Sequence, residues 1–304
     1  MGDIGRLVTA MVTPFTDAGA VDYGQAKVLA RALLDSGSEG LVISGSTGES
    51  PTLTKDEKLR LFAETKGIAG DAAVVAGTGS NSTADSIELS KAAQAEGVDA
   101  LLLVVPYYNK PTQEGLYRHF RAIAESVSLP CMLYNVPSRT VTNMTTETVI
   151  RLSEEPNIIG VKEASGDLEQ IGAIIDGAAS GFRVWSGNDN DTFAIVERGG
   201  YGVVAVASHL VGRQMRQIIQ LSLDGASSRA KEIDDSLQAL YRDLFIISNP
   251  IPIKHALNYL GFNIGQCRLP LCEADEKSAA AIEATVRDIT VDLPVPSAAG
   301  IARP

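Results

Sequence analysis

Cysteine, histidine and positive charge are all in short supply in this chain, and each shortage closes off a class of chemistry. The three cysteines in 304 residues, Cys131, Cys267 and Cys272, form neither a C-x-x-C pair nor the dense, even-numbered framework of a small secreted domain. A reducing, cytoplasmic setting is therefore expected. The three histidines, His119, His209 and His255, offer no H-x-H or H-x-x-x-H spacing, so metal-dependent catalysis is disfavoured and no metal site is expected. His209 alone closely follows an apolar run, where a satisfied structural role is the expectation. Lys and Arg total 26 against 37 Asp and Glu, a formal charge of −11, which repels a phosphate backbone or an anionic membrane. Neither nucleic acid nor membrane is expected as a partner, and no apolar run approaches the roughly 18 residues that span a bilayer. Three further signatures are missing. No G-x-G-x-x-G follows the first apolar run, no G-K-[ST] closes a phosphate loop, and no G-x-S-x-G elbow carries a nucleophilic serine.

What the sequence does have is a rhythm. Short apolar, β-branched runs recur eight times: 7–13, 40–44, 73–77, 100–106, 131–136, 158–164, 182–187 and 202–207. They are continuous rather than alternating, as parallel strands covered on both faces should be. Helical spacing fills the intervals, for example over 22–36, 54–69, 83–96, 114–126 and 214–223. Asp22, Thr54 (followed by Glu57), Ser82 and Thr146 mark helix starts. Eight β/α units in about 220 residues predict a (β/α)8 TIM barrel over residues 1–225. Helical patterning alone continues from residue 226 to 292, predicting a C-terminal helical appendage. The Pro- and Ala-rich stretch 293–304 reads as an exposed tail.

In a barrel of this kind the C-terminal ends of the strands face the reaction site, so polar residues there are the candidates. Lys162, in Gly160-Val161-Lys162-Glu163-Ala164, alone of the ten lysines sits near the end of an apolar run. Strand alternation sends Lys162 and Gly160 to one face and Val161 and Glu163 to the other. A lysine buried in a barrel gives up its proton more readily than one in water, and the neutral amine is the nucleophile that forms Schiff bases with ketones. A strand-end lysine paired with Glu163 and facing solvent is the competing reading. Gly45-Ser46-Thr47-Gly48-Glu49-Ser50, after the second run, offers backbone N–H groups and hydroxyls to a carboxylate; an ordinary glycine turn accounts for it equally well. Tyr107, Tyr108 and Tyr134 stand at two further strand ends with Arg139 close by. Phenols can move protons through an imine cycle and a guanidinium can grip a carboxylate, while interface packing is the commoner fate of such aromatics.

Together these segments, with Tyr107-Tyr108-Asn109-Lys110-Pro111, Tyr134-Asn135-Val136-Pro137-Ser138-Arg139-Thr140 and Asn249-Pro250-Ile251-Pro252-Ile253-Lys254, resemble the dihydrodipicolinate synthase family, within the pyruvate-dependent class I aldolases that include N-acetylneuraminate lyase. The resemblance implies a cofactor-free lyase of lysine (diaminopimelate) biosynthesis. In it Lys162 forms a Schiff base with pyruvate, and the enamine attacks L-aspartate 4-semialdehyde. It further implies that Tyr134 relays protons with Ser46 and with Tyr108 from a neighbouring subunit, that Thr47 binds the pyruvate carboxylate, and that Arg139 binds the second substrate. Gly187 and Val204 would line the pocket through their backbone, in a homotetramer built as a dimer of dimers. Ser46 stands where the synthases usually have Thr, a feature shared with the sialic-acid lyase branch, whereas Arg139 favours the synthase. The rivals are another pyruvate-dependent aldolase, acting on a sialic acid or a 2-keto-3-deoxy sugar acid, and a non-catalytic barrel that binds an oxo acid. Lysine-inhibited members commonly carry His in the helix after the second strand. Lys55 and Lys58 stand there instead, with Asp85 on the next helix, which implies weak or absent inhibition by lysine.

Overall fold

Eight short parallel strands pair in sequence order and close on themselves in the computed structural model of the chain, which describes residues 4–295. They are β1 (Leu7–Ala10), β2 (Gly40–Ile43), β3 (Ala73–Gly77), β4 (Ala100–Val104), β5 (Cys131–Asn135), β6 (Ile158–Glu163), β7 (Arg183–Ser186) and β8 (Gly202–Ala205). Each lies inside the apolar run expected for it. All but β3 stop short of the run's end, because the last residues lift off the ladder to form the loops of the C-terminal rim. The barrel is wrapped by α1 (Tyr23–Asp35), α2 (Lys55–Lys66), α3 (Thr83–Ala95), α4 (Gln113–Glu125), α5 (Pro137–Thr140), α6 (Thr146–Leu152), α7 (Leu168–Gly177), α8 (Thr192–Glu197) and α9 (Ser208–Leu223). The predicted (β/α)8 architecture is what the chain adopts.

Local chemistry fixes half of the α-helix starts among the described residues. The Asp22 side chain accepts from the Gln25 N–H, Ser82 from the Asp85 N–H, and Thr54 and Glu57 form a reciprocal capping box; each such cap contributes about 1 kcal/mol. Thr146 is a correction by one residue. It is the first helical residue, with Thr145 in the cap position and no side-chain cap bond. α9 starts at Ser208 rather than near residue 214, because its first turn is fully buried and reads in sequence as more strand. The helix is interrupted at Val211, whose backbone is non-helical.

Strand alternation sorts the apolar residues into two cores. Val8, Val42, Val75, Leu102, Met132, Trp185 and Val204 fill the barrel interior, while Leu7, Leu41, Val74, Leu133, Val161 and Val203 face the helical layer, where Leu29, Phe62 and Phe120 meet them. Each such side chain contributes roughly 1.5–3 kcal/mol by leaving water. Trp185 donates through Nε1 to the Gly5 carbonyl at 3.0 Å. A Cβ on Gly160 would come within 2.6 Å of the Trp185 ring and 2.3 Å of the Arg183 carbonyl. The interior is thus packed below Lys162.

Three further helices, α10 (Ser227–Asp243), α11 (Ile251–Tyr259) and α12 (Glu276–Asp288), follow the barrel. α10 packs on α9, and α12 packs on α10 and α11. The exposed tail expected from residue 293 is contradicted at its first residue. Leu293 is only 3% exposed and belongs to the outer core, because Asp292 anchors the segment, its N–H donating to the Leu210 carbonyl at 2.7 Å and its carboxylate accepting from the Gln214 N–H at 2.9 Å. Residues 296–304 of that stretch lie outside the described residues. No helix among the described residues is long and apolar enough to cross a membrane.

Candidate active site

The loop after β2 is tightly constrained. Ser44 enters the left-handed region at φ 58, after which the Glu49 N–H donates to the Ser46 carbonyl at 3.1 Å and the Ser50 N–H to the Gly45 carbonyl at 3.2 Å. Gly77 permits this approach, since a Cβ there would lie 2.2 Å from the Ser44 carbonyl oxygen. The Thr13 hydroxyl donates to the Gly48 carbonyl at 2.6 Å. Gly45–Ser50 is therefore a bonded turn that presents Ser46 and Thr47 from a fixed backbone.

Lys162 and Tyr134 are register partners on β6 and β5, so their side chains share the inner face. The Lys162 Nζ lies 4.4 Å from the centroid of the Tyr134 ring, within cation–π range. Lys162 is 5% exposed, and among the described residues no hydrogen-bond or ion-pair partner engages its Nζ. Pairing with Glu163 in solvent is excluded by the alternation of the strand. Glu163 points outward, where its carboxylate accepts from Asn135 Nδ2 at 3.0 and 3.1 Å and from the Ser165 N–H at 2.8 Å. Burial raises the Glu163 carboxyl above the usual range, with the Asn135 and Ser165 bonds opposing it. The carboxylate whose charge is felt together with that of Lys162 is Asp189. It accepts from the Val206 and Ala207 N–H groups at 3.0 and 2.7 Å. Burial pushes its carboxyl up to about 6, against those backbone bonds and the Lys162 charge.

A cavity of about 750 Å³ opens beside the Tyr134 ring. Of the residues singled out in the sequence, Ser46, Tyr107, Tyr134 and Arg139 line it, with Lys55, Lys58 and Asp85 further along the same wall. Lys162 is not on that wall and meets it through the Tyr134 ring. Thr47 is buried, its Oγ1 accepting from Asn249 Nδ2 at 2.9 Å. Asn249 also accepts from Arg139 Nη2 through its carbonyl at 3.2 Å. Gly187, just past β7, donates its N–H to the Glu163 carbonyl at 2.7 Å, and Val204 is buried on the inner face of β8; neither is on the cavity wall. Tyr108 is not on the wall either. It has φ 74 and is 90% exposed, whereas Tyr107 lines the cavity. His209 is fully committed to backbone, its Nε2 accepting from the Val12 N–H at 3.2 Å and its Nδ1 donating to the Val206 carbonyl at 2.8 Å. Burial pulls its pKa down to about 4.

The sequence profile described as the Dihydrodipicolinate synthetase family matches residues 3–289. The chain belongs to that family. It is similar to the 4-hydroxy-tetrahydrodipicolinate synthase of Dehalococcoides mccartyi strain CBDB1, at 58% identity over 296 residues, covering 97% of this chain and 100% of that one. Among solved structures of family members, the dihydrodipicolinate synthase of Bacillus anthracis matches with a TM-score of 0.93 and 42% identity, over 95% of this chain and 99% of the other. The chloride-inhibited enzyme of Acinetobacter baumannii, complexed with pyruvate, matches with a TM-score of 0.91 and 38% identity, over 94% and 99%.

Four residues around the site received no role from sequence reasoning. Asn249 and Lys254 lie in a segment that was singled out, but nothing in Asn249-Pro250-Ile251-Pro252-Ile253-Lys254 says which loop it will meet. Asp189 follows β7 in a polar run in which nothing local marks it as buried. Glu49 adopts a backbone conformation at φ 57 that sequence rules reserve for Gly or Asn, so its conformation could not be read in advance.

Proposed function

We propose that this chain condenses pyruvate with L-aspartate 4-semialdehyde, the 4-hydroxy-tetrahydrodipicolinate synthase reaction on the route to lysine, through a Schiff base on Lys162. The observation that carries this reading is the Lys162 Nζ, buried at the C-terminal end of β6, free of hydrogen-bond and ion-pair partners among the described residues, and 4.4 Å from the Tyr134 ring centroid. The amine adds to the pyruvate carbonyl, and the carbinolamine loses water to give the imine. Loss of a methyl proton gives the enamine, whose carbon attacks the aldehyde. The amino group of the second substrate then attacks the imine carbon and displaces Lys162, closing the ring.

Tyr134 and Ser46, on the cavity wall, move the protons. Thr47 and the turn that carries it hold the pyruvate carboxylate, and Arg139 holds the carboxylate of the second substrate. Gly187 and Val204 shape the pocket by backbone. The 90% exposure of Tyr108 supports its acting in a neighbouring copy of the chain, within a homotetramer assembled as a dimer of dimers. A cytoplasmic setting suits the three free cysteines. Lys55 and Lys58 line the cavity together with Asp85 and Glu88, and Glu88 pairs with Lys55, so the case for weak or absent inhibition by the cation lysine rests on Lys58; a micromolar inhibition constant would refute that part. The test of the whole is turnover. Purified protein should consume pyruvate only when aspartate semialdehyde is present, and Arg139→Ala should raise KM for the aldehyde. Cleavage of a sialic acid at a comparable rate would overturn the assignment.

A further inference from the structure

Lys254 and Glu49 form a buried ion pair at the junction of α11 and the loop after β2. The Lys254 Nζ lies 2.8 Å from Glu49 Oε1, with the two side chains 2% and 1% exposed. The same Nζ donates to the Gln266 carbonyl at 2.9 Å and lies 4.3 Å from the centroid of the Phe15 ring. The other carboxylate oxygen, Glu49 Oε2, accepts from the Arg268 N–H at 2.8 Å. Burial lowers the Lys254 pKa and Glu49 acts to raise it.

A buried ion pair adds little stability over an apolar pair of the same shape. What it adds here is position. Glu49 is held at φ 57 and ψ 37, a left-handed conformation unfavourable for a residue with a Cβ, by bonds that come from the segment after the barrel. Its N–H closes the turn on the Ser46 carbonyl. The intervening Thr47 is bonded by Asn249, which lies on the same C-terminal segment as Lys254. The loop is thus gripped at two points by residues 249–268.

We infer that Glu49 and Lys254 are positioning residues: their pairing fixes the Gly45–Ser50 turn so that Ser46 and Thr47 receive the carboxylate of the keto acid, and the helices after the barrel thereby set the affinity of the site. This rests on the Schiff-base reading above. The test is borohydride trapping of the full-length protein as a function of pyruvate concentration, read by intact mass, with thermal melting in parallel. Two variants are used, Glu49→Gln and the double change Glu49→Leu with Lys254→Met, which removes both charges and leaves neither unpaired. The double variant should melt within a few degrees of the parent and be trapped to the same extent at saturation, while half-saturation moves about tenfold higher, as displacement of a binding group does. Glu49→Gln, which keeps an acceptor, should move it about threefold. Folded variants that half-saturate as the parent does would overturn the inference, leaving the pair as a tie between segments. If the double variant does not fold, Glu49→Gln decides alone. A parent that forms no adduct at any pyruvate concentration would sink the Schiff-base reading, and this inference with it, whereas a trapped parent with unaltered variants sinks only the inference.

Discussion

Lys162 and Lys254 are both buried, and each ammonium lies over an aromatic ring, 4.4 Å from that of Tyr134 and 4.3 Å from that of Phe15. The fold treats them differently. Lys254 is given a carboxylate at 2.8 Å and a carbonyl at 2.9 Å. Lys162 is given the ring and the charge of Asp189, a carboxylate whose oxygens are engaged by backbone N–H groups. An amine with its partners in place has nothing to gain from a ketone, whereas one held without hydrogen-bond or ion-pair partners is available to react. Under the proposed mechanism, the difference separates a lysine that shapes the site from one that does chemistry in it.

The comparison can be broken most sharply by deleting each amine. Lys162→Ala should lower kcat by at least about 10³-fold, as loss of a covalent nucleophile does, with little loss of stability because no ion pair is broken; steady-state turnover and a urea titration read the two effects. Lys254→Met should do the reverse. It leaves Glu49 buried and unpaired, which destabilises by about 3–5 kcal/mol, and the double change with Glu49→Leu should restore most of that loss in the same titration. Next in size is Tyr134→Phe, expected to lower kcat by about 10²-fold by removing a proton carrier, while pyruvate is still trapped on Lys162.

The carboxylates give a subtler contrast. The folded protein holds a proton on Asp189 up to about pH 6, whereas the ordinary aspartate value is 3.8. Its contribution to stability is therefore fully present below pH 3.8 and is lost as pH rises through about 6, since the folded state binds more protons across that window. Asp189→Asn should remove this component from the slope of melting temperature against pH. The smallest effect belongs to a lysine on the surface. Lys55 pairs with Glu88, both largely solvated, and Lys55→Ala should leave the melting temperature unchanged, as exposed ion pairs usually do.

Much of this molecule could be read from its sequence because the barrel repeats one local pattern. Continuous runs such as 100–106, recurring between helical segments, read as strands covered on both faces, and Asp22, Thr54 and Ser82 cap helices by interactions within three residues. Lys162 was legible for the same reason, since alternation along β6 decides which face it takes. What could not be read is everything set by distant partners. Ser208 begins a helix because its turn is buried, and Leu293 is packed because Asp292 reaches α9. The grip of Asn249 and Lys254 on the Gly45–Ser50 turn joins residues some two hundred positions apart, and no spacing rule connects them. Tyr108 is exposed in the single chain, so no contact within the chain assigns it a place.

The most direct test of the contrast between the two buried amines is peptide mapping after borohydride reduction of the protein with pyruvate. The account predicts one reduced pyruvate adduct, on the peptide that contains Lys162, and none on the peptide that contains Lys254. An unmodified Lys162 peptide, or an adduct on any other lysine, would contradict it.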